Sequence, residues 1–284
     1  MQYRRIGDTQ VSAIGLGGMP MSIEGRPDES RSIATIHAAL DAGVTLIDTA
    51  DAYHQFAGEV GYNESLIARA LASYGGDTSG VLVATKGGLL RPGDGSWVRD
   101  GSPAYLREAC DASLKRLGVD AIGLYQFHRP DTKVPYEESI GAIRDLLDEG
   151  KIRMAGISNA DPEQIRLANS VLDGRLVSVQ NQFSPRFRSS EPELELCDEL
   201  GIAFLPWSPL GGISSAGELG STHAAFGRIA AAHGVSPQQV CLAWMLAKSQ
   251  HVVPIPGSSR PETIRDSMQA VDLVLDDAEL AELG

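Results

Sequence analysis

The sequence of 284 residues predicts an α/β fold, a (β/α)8 TIM barrel with an N-terminal β-hairpin. Short apolar runs alternate with amphipathic helical stretches, and such alternation produces a parallel sheet. The runs stay apolar through their first halves, which is typical of strands covered on both faces. Because no change in composition marks a linker, one barrel domain over residues 1–284 is expected.

Eight segments carry the strand pattern, and most of them follow a glycine suited to the left-handed end of a helix. They are AIGLGG from residue 13, TLIDTA from 45, VLVATK from 81, IGLYQFH from 122, IRMAGISN from 152, LVSVQNQF from 176, IAFLPWSP from 202 and VVPIPGSS from 252. Most of them end in polar residues. In an open sheet the ends of seven neighbouring strands, about 4.8 Å apart, would spread over roughly 29 Å. A closed barrel instead gathers them at one mouth, where barrel enzymes place their chemistry.

The other elements fit around these strands. Helices are predicted at 33–40, 106–117, 140–147, 223–233 and 236–248, and from 261 and 277. Two of them fall between the seventh and eighth strands, so one is an extra helix. The segment YRRIGDTQVSAIG reads as two short strands around Gly7 and Asp8, a hairpin placed to plug the opposite end of the barrel.

Composition excludes several classes of protein. The formal net charge is −13 and no Lys/Arg run offsets it, so nucleic acids and anionic membranes are not expected as partners. No apolar stretch reaches the roughly 18 residues that a spanning helix needs. Three well-separated cysteines, Cys110, Cys197 and Cys241, fit reduced core thiols better than disulfides or a metal site, which indicates a cytoplasmic protein.

Four side chains able to do chemistry follow three consecutive strands: Asp48, Tyr53, Lys86 and His128. Each has an ordinary alternative. Asp48 could cap a turn, Tyr53 could be a buried aromatic, Lys86 a surface lysine and His128 a core histidine. Their appearance together at successive strand ends favours a site.

Together, these four residue types have the chemistry of an acid system. A free phenol has a pKa of about 10 and is a poor acid at neutral pH. An ammonium about 4 Å away favours the phenolate by about 4 kcal/mol at an effective dielectric near 20, or roughly three pK units at the upper limit. Lys86 would therefore make Tyr53 more acidic, Asp48 would hold Lys86 charged, and His128 would orient a substrate oxygen. Protonation of an oxygen whose carbon receives a hydride is what carbonyl reduction requires.

The segments LIDTADAY and YQFHRPD, with Lys86 after a strand between them, resemble the catalytic tetrad of the aldo-keto reductases. That family folds as a (β/α)8 barrel and usually binds NADPH. The resemblance implies that Tyr53 is the general acid/base, that Lys86 and Asp48 tune it, and that His128 orients a small-molecule carbonyl substrate.

The resemblance extends to the cofactor. Ser158 and Asn159 in GISN, with Gln180, match the positions where the family holds the nicotinamide carboxamide. The alternative is that these three are polar residues solvated at the barrel mouth.

In PWSPLGG, Trp207 matches the aromatic residue that stacks on the nicotinamide ring, and Ser208 and Leu210 match positions beside the pyrophosphate. Simple core packing is the alternative for Trp207.

The segment IPGSSRPETIRDSMQA resembles the part of the family that holds the adenosine 2′-phosphate at a helix N-terminus. Ser258 and Arg260 are the expected contacts. Family members often carry a basic residue at the position of Thr263 and Asn at that of Ser267. The sequence therefore predicts a nicotinamide cofactor more strongly than it predicts NADPH over NADH. Arg265 is either a compensating contact or an exposed helical arginine.

GLGGMP, from residue 15, begins like a dinucleotide-binding G-x-G-x-x-G motif. The third glycine is missing and no helix follows directly, so no Rossmann domain is predicted. The glycines instead suit a first strand that runs close to the cofactor or turns tightly.

The substrate walls are expected from residues 19–23, 87–102 and 211–222, with Trp97 as an aromatic lid. The alternative is that Trp97 packs on its own loop. Because the chain ends soon after the last predicted helix, a relatively open site is expected. GDGSW and IPGSS are also similar to segments of bacterial pyridoxal reductases.

Two other classes of function compete with reduction. A strand-end Lys86 could act as a Schiff-base nucleophile in an aldolase-type lyase, but its pairing with Asp48 opposes the loss of charge that this requires. Aldo-keto-reductase-like barrels can also serve as cofactor-binding regulatory subunits of channels, which predicts tight NADPH binding without turnover.

Overall fold

Strands and helices alternate along residues 2–284, the part of the chain that the computed structural model describes. The strands are β1 (Tyr3–Ile6), β2 (Thr9–Ser12), β3 (Leu16–Gly17), β4 (Leu46–Asp48), β5 (Leu82–Gly87), β6 (Leu89–Leu90), β7 (Val98–Arg99), β8 (Ile122–Phe127), β9 (Ile152–Ser158), β10 (Leu176–Gln180) and β11 (Ala203–Phe204). The helices are α1 (Glu29–Asp41), α2 (Tyr62–Ser73), α3 (Pro103–Leu117), α4 (Tyr136–Asp148), α5 (Pro162–Val171), α6 (Glu191–Leu200), α7 (Leu219–Thr222), α8 (Ala224–His233), α9 (Pro237–Lys248), α10 (Pro261–Gln269) and α11 (Asp277–Leu283).

Seven of the strands form one parallel sheet in the order β3-β4-β5-β8-β9-β10-β11. Residues 252–257 close it, because Val252 bridges to Phe204 and Gly257 bridges to Gly17. Pro254 and Pro256 have no backbone N–H to donate, so this eighth segment forms few backbone hydrogen bonds with its neighbouring strands. The carbonyl oxygens of Pro254 and Pro256 still accept hydrogen bonds from the backbone N–H groups of Gly15 and Gly17. The predicted (β/α)8 barrel is confirmed.

The hairpin of β1 and β2 covers the N-terminal end of the barrel. Ile6 and Val11 join a buried cluster with apolar residues from the barrel strands, among them Leu124. Gly7, at the turn, has a φ of 57°, and a Cβ added there would lie 3.0 Å from the side chain of Val177. The turn therefore requires glycine both for its backbone conformation and for its close approach to the sheet.

Five of the helices, α1, α3, α5, α9 and α11, begin at a side chain that accepts a free backbone N–H group. Ser102 caps α3 by accepting from Tyr105 N, and Asp161 forms a capping box with Gln164 at the start of α5. The predicted helices at 223–233 and 236–248 are α8 and α9, and the short α7 lies in the segment predicted as a loop.

The loop at 87–102 is more ordered than the sequence predicted. Its strands β6 and β7 pair antiparallel, with Leu89 opposite Arg99 and Leu90 opposite Val98. Gly93 and Gly95 have φ values of 100° and 86° and allow the chain to reverse between the strands. The loop therefore carries its side chains on a small hairpin at the barrel mouth.

The three cysteines are buried and unpaired, as the sequence predicted. Over residues 2–284, no helix combines the length and the apolar character that crossing a bilayer would need.

Candidate active site

A cavity of about 560 Å³ opens at the C-terminal ends of the barrel strands. Ten of the thirteen site residues predicted from the sequence line it: Asp48, Tyr53, Trp97, His128, Ser158, Asn159, Gln180, Trp207, Ser208 and Leu210. The other three, Lys86, Ser258 and Arg260, do not line it. The structure thus gathers side chains from six separate segments of the chain.

Lys86 lies beneath the cavity floor, fully buried, at the end of β5. Its Nζ donates to Asp48 Oδ1 at 2.6 Å, to the carbonyl oxygen of Thr49 at 2.8 Å and to the phenolic oxygen of Tyr53 at 3.2 Å. All three donors of the ammonium are therefore used, and one of them is aimed at the phenol.

Asp48 is held from both sides. Its second carboxylate oxygen accepts from Gln180 Nε2 at 2.7 Å and from Gln126 Nε2 at 3.4 Å. Gln126 was not predicted from the sequence, although it lies in β8 two residues before His128, which directly follows that strand, and alternate residues of an extended chain share a face. Gln180, predicted to contact a cofactor, also positions this carboxylate.

The neighbours of Lys86 stabilise its charged form. Burial disfavours the ammonium, but Asp48 and Tyr53 outweigh it, so the pKa of Lys86 is raised above its ordinary value. A nucleophilic lysine would need the opposite shift.

The pKa of Tyr53 differs from the sequence expectation. Burial raises the pKa of the phenol, and although Lys86 lowers it, Asp48 raises it again, so the net direction is upward. The phenol is 7% exposed, and the loss of hydration outweighs the ammonium. In the resting protein Lys86 therefore offsets the effect of burial on Tyr53 but does not reverse it.

His128 faces Tyr53 edge-on, with ring centroids 5.7 Å apart and an interplanar angle of 83°. Burial, together with the positive charges of Lys86 and Arg129, lowers the pKa of His128 well below its ordinary value. The imidazole is therefore neutral at physiological pH, with one N–H to donate.

Asn159 connects several parts of the cavity wall. Its Oδ1 accepts from Trp207 Nε1 and from Arg129, both at 3.2 Å, and its Nδ2 donates to the carbonyl oxygen of His128 at 3.0 Å. Asn159 and Ser208 have φ values of 57° and 50°, in the left-handed region that non-glycine residues rarely occupy. Such backbone conformations concentrate at functional sites.

The cavity wall fits a nicotinamide dinucleotide. Gly17 and Gly257 expose backbone to it, and a Cβ at Gly17 would lie 2.8 Å from the carbonyl oxygen of Ile255, so this wall stays free of side chains. Trp207 supplies an aromatic surface for stacking. Ser158 donates to the carbonyl oxygen of Gln180 at 2.7 Å and accepts from Asn159 Nδ2 at 2.9 Å, so its hydroxyl oxygen can accept one further hydrogen bond.

The predicted phosphate contacts lie just beyond the cavity. Ser258 is buried and its hydroxyl bonds to the carbonyl oxygen of Arg260 and to Thr263. Arg260 is exposed at the start of α10, 3.8 Å from Glu262. The arginine is three residues from Gly257 in sequence.

Asp51, from the same segment as Asp48 and Tyr53, does not line the cavity. It is buried against α3, where its Oδ2 accepts from the hydroxyl of Tyr105 at 3.0 Å. Burial, and next the charge of Glu64, raises the pKa of Asp51 to about 7.

Three arginines at the cavity, Arg91, Arg99 and Arg129, were not predicted as site residues. They come from two separate loops, so no run of basic residues reveals them in the sequence. Arg91 lies over the ring of Trp97, with its guanidinium carbon 4.7 Å from the ring centroid. Trp97 is 41% exposed and packs on its own hairpin as well as on the cavity.

A closed barrel with a buried lysine, a carboxylate, a phenol and an imidazole at its C-terminal mouth defines an oxidoreductase-type site. The sequence profile of the aldo/keto reductase family matches residues 13–284. The chain therefore belongs to the aldo/keto reductase family and is an NAD(P)H-dependent oxidoreductase.

Individual relatives agree. The chain is 35% identical over 283 residues to an uncharacterized oxidoreductase of Schizosaccharomyces pombe, covering 98% of this chain and 88% of that protein. It is 33% identical over 302 residues to a probable aldo-keto reductase of Glycine max, covering 96% and 85%. A crystal structure of an aldo/keto reductase from Klebsiella pneumoniae, in complex with NADP and acetate, superposes with a TM-score of 0.81 at 28% identity, covering 99% of this chain and 93% of that one.

Proposed function

We propose that this protein reduces aldehyde or ketone groups of small molecules to alcohols with NADPH, and that Tyr53 is the general acid. The observation that carries the proposal is the 3.2 Å contact between Lys86 Nζ and the Tyr53 hydroxyl beneath a cavity large enough for a substrate. When bound, the reduced nicotinamide supplies the hydride to the carbonyl carbon.

The residues of this chain supply the proton. The raised pKa of Tyr53 keeps the phenol protonated across the physiological range, so its proton is always available. As the proton moves to the carbonyl oxygen, negative charge develops on the phenol, and the Lys86 ammonium stabilises it. Asp48 keeps that ammonium charged and fixed.

His128 orients the reacting carbonyl. As a neutral imidazole it donates a hydrogen bond to the carbonyl oxygen without competing with Tyr53 as the proton source. Its ring lies edge-on to the phenol, which lets both groups approach one oxygen atom.

We propose the cofactor contacts on the same basis. Ser158, Asn159 and Gln180 would face the carboxamide, Trp207 the nicotinamide ring, and Ser208 and Leu210 the pyrophosphate. The side chain of Asn159 already forms four hydrogen bonds within the protein, so the carboxamide would share or replace one of them. The NADP bound to the Klebsiella relative supports this cofactor class.

NADPH is proposed over NADH because Ser258 and Arg260 lie just before the first turn of α10, where an anion is favoured. The preference is proposed to be modest, since Thr263 is bonded to Ser258 and adds no positive charge. The cytoplasmic location and the single domain over residues 1–284 stay predictions.

The test is direct. The protein is mixed with NADPH or NADH and a panel of aldehydes that includes pyridoxal, and nicotinamide absorbance is followed. We expect loss of absorbance that depends on both reactants, with a higher kcat/KM for NADPH. Binding of NADPH without turnover of any carbonyl would instead support the regulatory-subunit alternative. Borohydride trapping of a carbonyl ligand on Lys86 would support the Schiff-base alternative.

A further inference from the structure

The substrate side of the cavity is positively charged although the chain as a whole carries a formal net charge of −13. Arg91, Arg99 and Arg129 all line the cavity, against a single acidic residue outside the catalytic group, Glu24. A local charge opposite to that of the protein concentrates ligands of opposite sign at the mouth.

Only one of the three guanidinium groups is neutralised. Arg91 forms an ion pair with Glu24. Arg99 donates to the carbonyl oxygen of Pro130 at 3.1 Å, and Arg129 donates to Asn159 Oδ1 at 3.2 Å. Across residues 2–284, neither of these two arginines forms an ion pair with a carboxylate. Each guanidinium has five N–H donors, so most of their capacity is unused.

The two unpaired arginines meet at the same part of the mouth, because Arg99 donates to the carbonyl oxygen of Pro130, the residue that follows Arg129. Burial lowers the pKa of Arg129, and the positive charge of Arg99 lowers it further. Two like charges beside a cavity are unfavourable unless an anion lies between them. A planar guanidinium recognises a carboxylate or a phosphate through two parallel hydrogen bonds.

The positions of these two arginines favour a ligand group beside the reacting carbonyl. Arg129 directly follows His128, and consecutive Cα atoms are about 3.8 Å apart. Arg99 comes from the β6–β7 hairpin, beside Trp97. Most of the proposed cofactor contacts end or follow later strands of the barrel, among them Gln180, Trp207, Ser208 and Leu210, whereas Asn159 follows the neighbouring strand β9 and accepts from Arg129.

We propose that Arg99 and Arg129 form a subsite for an anionic group, a carboxylate or a phosphate, on the carbonyl compound that this enzyme reduces. The inference rests on the proposed function and narrows it to small anionic aldehydes or ketones. Because Arg129 adjoins His128, the anion lies near the carbonyl, which favours a compact substrate over a long aliphatic aldehyde.

The test compares substrates that differ in one charge. The ratio of kcat/KM for 4-formylbenzoate to that for its methyl ester is measured with NADPH. The pair D-glyceraldehyde 3-phosphate and D-glyceraldehyde gives the same ratio for phosphate. We expect the wild-type ratio to exceed about tenfold in at least one pair, which then identifies the anion.

Variants of the two arginines test whether they cause the preference for the anionic substrate. Arg99→Gln and Arg129→Gln should each lower the ratio about tenfold, and Arg99→Lys, which keeps the charge but loses the fork, should lower it less. The matched control is Arg153→Gln, which removes an exposed arginine from the start of β9 at the opposite end of the barrel. Its ratio should equal that of the wild type.

Several results would overturn the subsite. Ratios near one in both pairs would do so, as would ratios that none of the arginine variants changes. An increase in the KM for NADPH with unchanged ratios would assign the arginines to the cofactor.

Failure of the subsite differs from failure of the proposed function. Reduction of the methyl ester without preference for the anion contradicts the subsite alone. If neither these pairs nor the aldehyde panel is reduced, the proposed function fails, and calorimetric binding of 4-formylbenzoate against its ester decides the subsite. Tighter binding of the carboxylate that weakens in Arg99→Gln supports it, and equal binding contradicts it.

Discussion

At its N-terminal end the barrel is filled with apolar side chains, whereas at its C-terminal end it encloses charged ones. The same strands supply both regions, from positions two residues apart. In β5, Ala84 belongs to the apolar cluster and Lys86 contacts Asp48; in β8, Leu124 belongs to the apolar cluster and the polar Gln126 contacts Asp48. Because alternate residues of a strand share a face, both sets point into the barrel.

The difference shows how the charged end is tolerated. A buried ammonium costs several kcal/mol unless it is paired and fully hydrogen-bonded. Lys86 has three acceptors, and Asp48 has three donors counting the two glutamines. The apolar end, closed by the hairpin, supplies the burial that stabilises the fold while the rim keeps its charges for chemistry.

The largest expected effect comes from breaking the charged end. Lys86→Met leaves Asp48 buried without its partner, so the free energy of unfolding should fall by about 3–5 kcal/mol, and kcat should fall by about a hundredfold or more. Urea unfolding and steady-state kinetics measure the two effects. Adding Asp48→Asn should recover much of the stability but not the activity, and recovery of both would contradict a catalytic role for the pair.

The apolar end should respond in stability alone. Leu124→Ala removes a fully buried side chain and should lower the free energy of unfolding by about 3 kcal/mol, while kcat of the folded protein stays within about twofold. Leu167→Ala, at a leucine 38% exposed on α5, is the control and should stay within about 0.5 kcal/mol. A large loss of kcat in Leu124→Ala would mean that the two ends are not independent.

A smaller, pH-dependent effect should come from Asp51, the buried carboxyl beside the charged end. Its pKa is raised to about 7, so the folded protein binds its proton more tightly than the unfolded chain does. The stability that this proton provides is complete below the unfolded pKa and is lost as the pH rises toward 7. Asp51→Asn should therefore become more stable relative to wild type by roughly 2 kcal/mol between pH 5 and pH 8.

Thermal or urea unfolding of both proteins across that range checks the prediction. Parallel stability profiles would show that Asp51 titrates alike in the folded and unfolded states.

The fold was predictable because the periodicity of apolar residues and the positions of glycines mark most of its strands and helices. The apolar runs gave all eight barrel segments, including residues 252–257, whose prolines thin the ladder in the structure. The β6–β7 hairpin was missed, since two-residue strands are too short to show alternation. What defines that hairpin is the turn between Gly93 and Gly95.

The candidate site was predictable where a residue ends a strand. Asp48, His128 and Gln180 line the cavity because strand direction alone carries them to the mouth. The direction of the Tyr53 pKa could not be predicted, because it depends on how completely the phenol is buried. The arginine pair was hidden for a different reason, since two loops far apart in sequence bring it together.

The measurement closest to the central claim is the reduction of an aldehyde by Tyr53→Phe, with NADPH affinity determined on the same variant. Phenylalanine keeps the ring against His128 and removes only the hydroxyl that Lys86 contacts. We predict at least a hundredfold loss of kcat and an NADPH Kd within about twofold of wild type. Turnover at the wild-type rate would show that the proton comes from another group.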